Sequence, residues 1–528
     1  MRGAASVQIL LVIVMILGLF LAIFLGNSVG NQQFIVIVGI MGVAAVAVLC
    51  LTLRTKIWLL IPLCWLLTGK IGLLPLPFTV RDMSILLALG MFLIFYALKT
   101  VPRVASLKAC DLLLILNLAY LGTVFIRNPT GINALGSDMV GGRPYFDIFI
   151  AAAAYFVLQH VTVSAKESRR VPIYLSITSF IVAALGFLTM KVPSLVPIIA
   201  PIYSGISVSS YLAEETGRST SGSYRMTELA GYSYIAGPAA ASFGRPWHLF
   251  LFLRPIWSII YYSAWAAAAL GGFRTSLVSL MLFTLASSYF YAGLKDVIRI
   301  SVIAALAALL VIFAKNNGVE IHPALQRGLS FLPGNWDQKI LDDAQGSSQW
   351  RFEIWRIALE SDKYIHNKLL GDGFGFSAYE LQIQLAAMWG GTGYLNANEA
   401  ETQLVSGAYH SGPISAIRYV GAVGLLFFTM LLIACAFYAW KIIELAKGTA
   451  FFPLAIFTGV PAIIKPGFFW FIFGGFDQDY PNAIFTLAIL NLTHRSLVAF
   501  KASAVPVSNA PALPTLEANV TMPPRTVV

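Results

Sequence analysis

Charge is what this chain has least of. Asp, Glu, Lys and Arg make up 11% of its 528 residues, less than half of the roughly 25% usual in soluble domains, which excludes a soluble globular protein. Cysteine is equally sparse. Cys50, Cys64 and Cys435 lie inside apolar runs, Cys110 at the edge of one, and no pair has the C-x2-C spacing of a zinc site or the pattern of a disulfide framework. No acidic pair is assigned to an outer helix end, so a metal-held substrate is disfavoured and no cofactor is expected. Internal repeats are missing, which weakens an inverted-repeat transporter. No small-residue cleavage site follows the apolar stretch Gln8 to Leu25, so it reads as an uncleaved first helix.

What the chain has instead is apolar length. It is 58% hydrophobic with a mean hydropathy of +0.78. Runs of about 17–25 apolar residues recur, each able to cross a hydrocarbon core of about 30 Å, and in lipid such runs must be helices. Spans read at 7–26, 33–53, 57–75, 83–98, 110–127, 145–162, 172–190, 230–243, 255–271, 275–292, 298–314, 415–440, 449–465 and 482–498. The expected class is an all-α polytopic membrane protein with about 12–14 transmembrane helices. The net charge of +11 gives no reason to expect nucleic acid, because much of it sits in short links between spans. Arg54 and Lys56, then Lys99, Arg103 and Lys108, then Lys166, Arg169 and Arg170, then Lys295 and Arg299, then Lys441 and Lys447 fall on one side if spans alternate. That side is expected to be cytoplasmic, with both termini.

Four regions follow: an N-terminal bundle 1–314 with an outer loop at about 191–229, a large outer loop or cap 315–414, C-terminal spans 415–498, and a tail 499–528. The tail, rich in Pro, Ala, Val and Thr, is expected to be disordered. Within the cap, Ser348 to Glu360 has helical spacing that puts Arg351, Trp355 and Leu359 on one face. Gly371, Gly373 and Gly375 then alternate around Asp372 and Phe374, as suits a tight bend or a close backbone approach. The stretch 390–407 shows no clear period.

The cap ends at His410-Ser411, where an aqueous segment meets the membrane. A histidine there can take a proton near neutral pH, as activation of a hydroxyl requires; the plain alternative is a loop histidine bonded to backbone or water. Gly421 and Gly424, three apart on the next helix, would let another helix pack closely behind it. Arginines on the same side suit bidentate contact with phosphate oxygens: Arg218 and Arg225 in the first loop, Arg351 and Arg356 in the second, and Arg274 and Arg418 near outer helix ends. Each could equally snorkel to headgroups or sit in a surface ion pair.

Taken together these residues resemble the O-antigen ligase and polymerase superfamily of bacterial envelope glycosyltransferases. His410-Ser411, nine residues, Gly421, two residues, Gly424 is similar to the family's H-[NSQ]-x9-G-x2-[GTY] signature. Arg351 with Trp355, followed by Gly371 to Gly375, is similar to its R-x3-W … G-x-G segment. Arg274 resembles a Ser-Arg element with Phe273 in place of the serine, and Arg225 resembles the arginine of the preceding outer loop, in competition with Arg218. The motifs cover about residues 218 to 430. The resemblance implies a GT-C-like fold with a large periplasmic loop domain in the bacterial inner membrane. It also implies metal-free, inverting transfer from an undecaprenyl-diphosphate-linked glycan, with His410 serving the acceptor and Arg225, Arg274 and Arg351 the donor diphosphate. Ligase and polymerase differ in acceptor, lipid A-core or a second lipid-linked glycan, and the histidine signature leans toward ligase. A protein O-oligosaccharyltransferase is a third member. A lipid-linked glycan transporter is the reading of another class; it would carry charges within several spans, whereas here the runs look nearly free of them.

Overall fold

The computed structural model describes residues 52–72, 77–99, 108–131, 139–205, 226–377, 379–383, 399–407 and 409–504, together with Val48 and Cys50. The apolar runs from residue 83 onward are helices: α1 Val80–Ala97, α2 Ala109–Arg127, α3 Arg143–Gln159, α4 Arg170–Lys191, α5 Thr227–Phe243, α6 Pro255–Leu270 and α7 Arg274–Ala292. They continue with α8 Leu294–Asn316, then, past the cap helices α9 Pro323–Leu329, α10 Gln338–Glu360 and α11 Glu399–Ser406, with α12 Gly412–Ala446, α13 Phe452–Phe471 and α14 Phe476–Ala504. Eight helices among the described residues are long and apolar enough to cross a membrane, and the chain is an all-α polytopic membrane protein. Helices α3, α5 and α6, at 17, 17 and 16 residues, are about 24–26 Å long at about 1.5 Å per residue.

Two expectations shift at the N-terminal side. The spans at 7–26 and 33–53 lie almost wholly outside the described residues, as does the tail from 505. The run at 57–75 is not one helix: a 3-10 stretch Arg54–Leu59 leads into Leu60–Cys64 and stops. Beyond it Gly69 and Gly72 press backbone to backbone on Gly205 and Pro201.

Helix starts are made by local chemistry. Thr79 Oγ1 accepts from Asp82 N at 3.2 Å while Asp82 accepts from Thr79 N at 2.9 Å, a reciprocal cap. Asp111 does the return half of the same job, accepting from Lys108 N at 2.8 Å. Both carboxylates are buried, and so is Asp296 in the first turn of α8, held by Arg245 and Arg299. Asp111 falls inside the run at 110–127, and Asp82 and Asp296 just ahead of the runs at 83–98 and 298–314, in helices that start earlier than those runs. These acids sit at first turns, where exposed N–H groups and the helix dipole favour a negative charge.

Helix α12 is the centre of the bundle, packed on α2, α13 and α14, while α3 lies along α14. A second packing group joins α4, α5, α6 and α7, and meets the first through α5 and α7 on α13. The connections alternate between two ends. At one, the segment 128–142 meets 371–376, Arg274 meets the cap, and the α13–α14 link meets His410; this is the cap end. The basic links gather at the other, where Lys108 contacts Tyr438 and His494 and Lys56 pairs with Glu167.

The cap has its own small core of Ile354, Ala358, Ile365, Leu404, Tyr409 and Ile414. Helix α10 begins at Gln338, ten residues before the expected start, with Asp337 as its cap. Arg351, Trp355 and Leu359 lie on it at four-residue spacing, as expected; its buried face runs beside them through Ile354 and Ala358, and Leu359 is exposed. Part of the stretch expected to lack a period, 399–406, is helix α11.

Candidate active site at the cap–membrane junction

The junction is built on a break in α12. Gly421 has φ +70° and ψ 178°, a conformation open to glycine alone at little cost. The backbone of Leu369 to Gly373 lies in that break. Asp372 N donates to Arg418 O at 3.0 Å and Gly373 N to Tyr419 O at 2.9 Å. In return Ala422 N donates to Lys368 O at 2.8 Å and Val423 N to Leu369 O at 3.2 Å. Tyr120 of α2 donates to Val420 O at 3.0 Å. Every backbone group freed by the kink that is named here thereby finds a partner, as a buried break demands.

A Cβ on Gly421 would lie 2.3 Å from Leu369 O, and one on Gly371 would lie 2.5 Å from Val420 Cα. The two glycines thus face each other, and the sequence reading is corrected: Gly421 admits a loop backbone, not a neighbouring helix. Gly424 does serve helix packing, since a Cβ there would approach Tyr120 of α2 to 2.9 Å. Gly373 and Gly375 admit Tyr145 and Thr130 from the 128–145 segment.

Arg418 locks this arrangement and is not available as a phosphate ligand. It is 3% exposed, with Nη1 donating to Tyr364 O at 2.6 Å and Asp372 Oδ2 at 3.0 Å, and Nη2 donating to Glu380 Oε1 at 3.1 Å. It lies in the first turns of α12, at the cap end, and its partners are two protein carboxylates and a backbone carbonyl. Asp372, given little weight in the sequence, is the knot of the glycine run: it also accepts from His366 N and Asn367 N, both at 2.8 Å.

His410 stands directly before the first half of α12, at φ +52°, a left-handed conformation uncommon for a residue with a Cβ. Its ring stacks on Phe473, centroids 5.6 Å apart and planes 23° apart, and it is half-buried. Both flanks of this turn are fixed. On one side Trp355 Nε1 donates to Tyr409 O at 2.7 Å, and Tyr409 is buried with its hydroxyl on Leu404 O, burial that pushes its phenol up to about 12. On the other side a Cβ on Gly412 would strike Phe469 at 2.4 Å, and Ser415 Oγ accepts from Phe476 N at 3.0 Å. Ser411 starts the helix without a side-chain cap bond.

The arginines separate. Arg351 is half-buried on α10, one turn before Trp355, and so belongs to the element that holds the His410 turn. Arg356 is exposed on the same helix. Arg274 opens α7 and reaches the cap, with Nε on Arg327 O at 3.2 Å and Nη2 on Ser330 Oγ at 3.0 Å. Arg218 and Arg225 lie outside the described residues.

Below Phe473 the bundle contains a cavity of about 400 Å³ between α5, α7, α12, α13 and α14. Its charged lining residues are Lys465 and Asp479, which form an ion pair. Neither was singled out in the sequence, although Asp477-Gln478-Asp479 is an Asp-x-Asp at the cap-end start of α14. That corrects the expectation that no acidic pair stands at an outer helix end; drawing the last span from 482 hid it. Asp479 turns to Lys465, whereas Asp477 faces the like charges of Asp479 and, more weakly, Asp147.

Comparison with protein-family models and with curated proteins finds no match for this chain.

Proposed function

We propose that this chain is a membrane glycosyltransferase of the O-antigen ligase and polymerase type. It takes a glycan from undecaprenyl diphosphate and places it on an acceptor hydroxyl, with lipid A-core as the acceptor in the ligase form. The observation that carries the reading is the hydrogen bond from Trp355 Nε1 to Tyr409 O at 2.7 Å. It joins the Arg-x3-Trp helix to the His-Ser junction across 54 residues of chain, so two motifs that resemble one family are also one physical unit. In this reading His410 orients or deprotonates the acceptor hydroxyl. Arg351 and Arg274, with Arg225 from the first loop, meet the diphosphate and balance charge growing on the leaving group. A polyprenyl tail cannot leave the bilayer, so the reaction belongs at the cap end, on the periplasmic face of the bacterial inner membrane.

The test is transfer by purified protein in detergent, with lipid-linked glycan and acceptor and no compartments present. His410→Ala should lower transfer by about 10²–10⁴-fold, the usual worth of acid–base catalysis, while the protein melts and elutes as wild type. Normal glycan products from that variant would sink the assignment. The product separates the two forms: joined core for a ligase, a lengthened lipid-linked glycan for a polymerase. A wild-type protein that moves lipid-linked glycan across vesicles yet transfers nothing in detergent would be a transporter.

A further inference from the structure

The cavity under Phe473 has a lining that the donor diphosphate does not explain. Asp479 is 8% exposed; its Oδ1 takes Lys465 Nζ, and its buried Oδ2 has no hydrogen-bond partner among the described residues. A buried carboxylate oxygen left without a donor is costly, so this atom asks for a ligand that donates. Lys465 carries three N–H groups and stands six residues before the end of α13, about 9 Å from it at about 1.5 Å per residue. The walls add the hydroxyls of Tyr234 and Ser279 and the amide of Asn482. Lysine and aspartate cancel, so the site does not favour a doubly charged anion. Its groups both donate and accept, next to an aromatic face.

The cavity also reaches the junction. A Cβ on Gly474 would lie 2.8 Å from Asp479 Oδ2 and 3.0 Å from Gly412 Cα, so the unpartnered oxygen sits beside the turn that carries His410. Phe473 lines the cavity and stacks on His410. Tyr234, on another wall, donates to Thr275 Oγ1 at 3.3 Å, next to Arg274.

We propose that this cavity is a sugar-hydroxyl subsite. The sugar next to the reacting bond donates a hydroxyl to Asp479 Oδ2 and accepts from Lys465, with Phe473 against its ring. This rests on the glycosyltransferase reading and adds to it the residues that grip the sugar itself, as distinct from the diphosphate.

The experiment measures binding of farnesyl diphosphate, and of farnesyl-diphosphate-linked glucose, galactose, mannose, rhamnose and N-acetylglucosamine, to purified full-length protein by calorimetry. At least one sugar-bearing probe should bind about tenfold more tightly than farnesyl diphosphate, a difference of about 1.4 kcal/mol. Asp479→Asn and Lys465→Met should each erase that preference and leave the affinity for farnesyl diphosphate unchanged. Two variants are used because Lys465→Met leaves Asp479 without its cation, whereas Asp479→Asn keeps the shape; each is checked by its melting temperature. If no sugar-bearing probe outbinds farnesyl diphosphate, or if both variants keep the preference, the inference falls. Transfer activity with an unaltered sugar preference in the variants refutes the subsite and spares the proposed function. A sugar preference lost in the variants, in a wild type that transfers nothing, does the reverse.

Discussion

Gly421 and Gly448 both adopt positive φ, +70° and +73°, yet they answer different demands. A Cβ at Gly448 meets nothing within 4 Å, whereas one at Gly421 would lie 2.3 Å from Leu369 O. Gly448→Ala should therefore cost only the strain of a left-handed residue, about 1 kcal/mol. Gly421→Ala adds a backbone clash that cannot relax by a side-chain rotation, and its loss of melting temperature in detergent should be several times larger. Equal losses would show that the loop is not pinned there. Arg418 offers the same contrast in charge. Replacing it with methionine leaves half-buried Asp372 and Glu380 without the guanidinium that pairs them, a loss short of the about 3–5 kcal/mol of breaking a fully buried pair. Arg418→Met should unfold at distinctly lower temperature than wild type, and a variant that melts like wild type would return Arg418 to the set of free phosphate ligands.

At the scale of elements, α10 is the lever that holds the His410 turn. Trp355→Phe keeps the ring and its packing but removes the bond to Tyr409 O, a loss of about 1 kcal/mol. Its expected signature is a transfer rate that falls far more than the melting temperature. A rate that merely tracks stability would make Trp355 a packing residue. The elements also show what could be read from the chain. Long apolar runs give the order and number of α1 to α8 and α12 to α14, because lipid allows no other structure, but miss their ends by up to six residues. The junction His410–Gly424 stood out by spacing alone. The Asp372–Arg418 pair and the meeting of Gly371 with Gly421 did not, since they join backbones about fifty residues apart and leave no periodic mark. Lys465 and Asp479 were missed for a different reason: each looks like an end-of-span charge until α13 and α14 are placed side by side.

For the whole molecule, the two ends differ in kind. The basic links, with buried Asp111 and Asp296 among them, make up one end, and the cap, the His410 turn and the cavity the other. Single cysteines placed at Lys166 and at Phe331, in a background lacking the native four, should react with a membrane-impermeant thiol reagent from opposite faces of sealed vesicles; labelling from one face would overturn the alternation. Helix α8 is the outlier of the bundle, burying only Asp296 and Ile300 among its residues. Leu306, Leu310 and Phe313 project outward at 60%, 70% and 70% exposure, a surface made for acyl chains.

The kink in α12 also sets an order of manufacture. The carbonyls of Arg418 and Tyr419 take their hydrogen bonds from Asp372 and Gly373, residues that leave the ribosome about fifty positions earlier. With the cap on the far side of the bilayer, as proposed, the start of α12 would enter lipid with unpaired backbone until that earlier segment has crossed, and hydrocarbon penalises unpaired backbone heavily. The chain delivers the partner first and the helix that needs it second. The reverse order, as in a circular permutant that opens the chain between the two, should insert poorly.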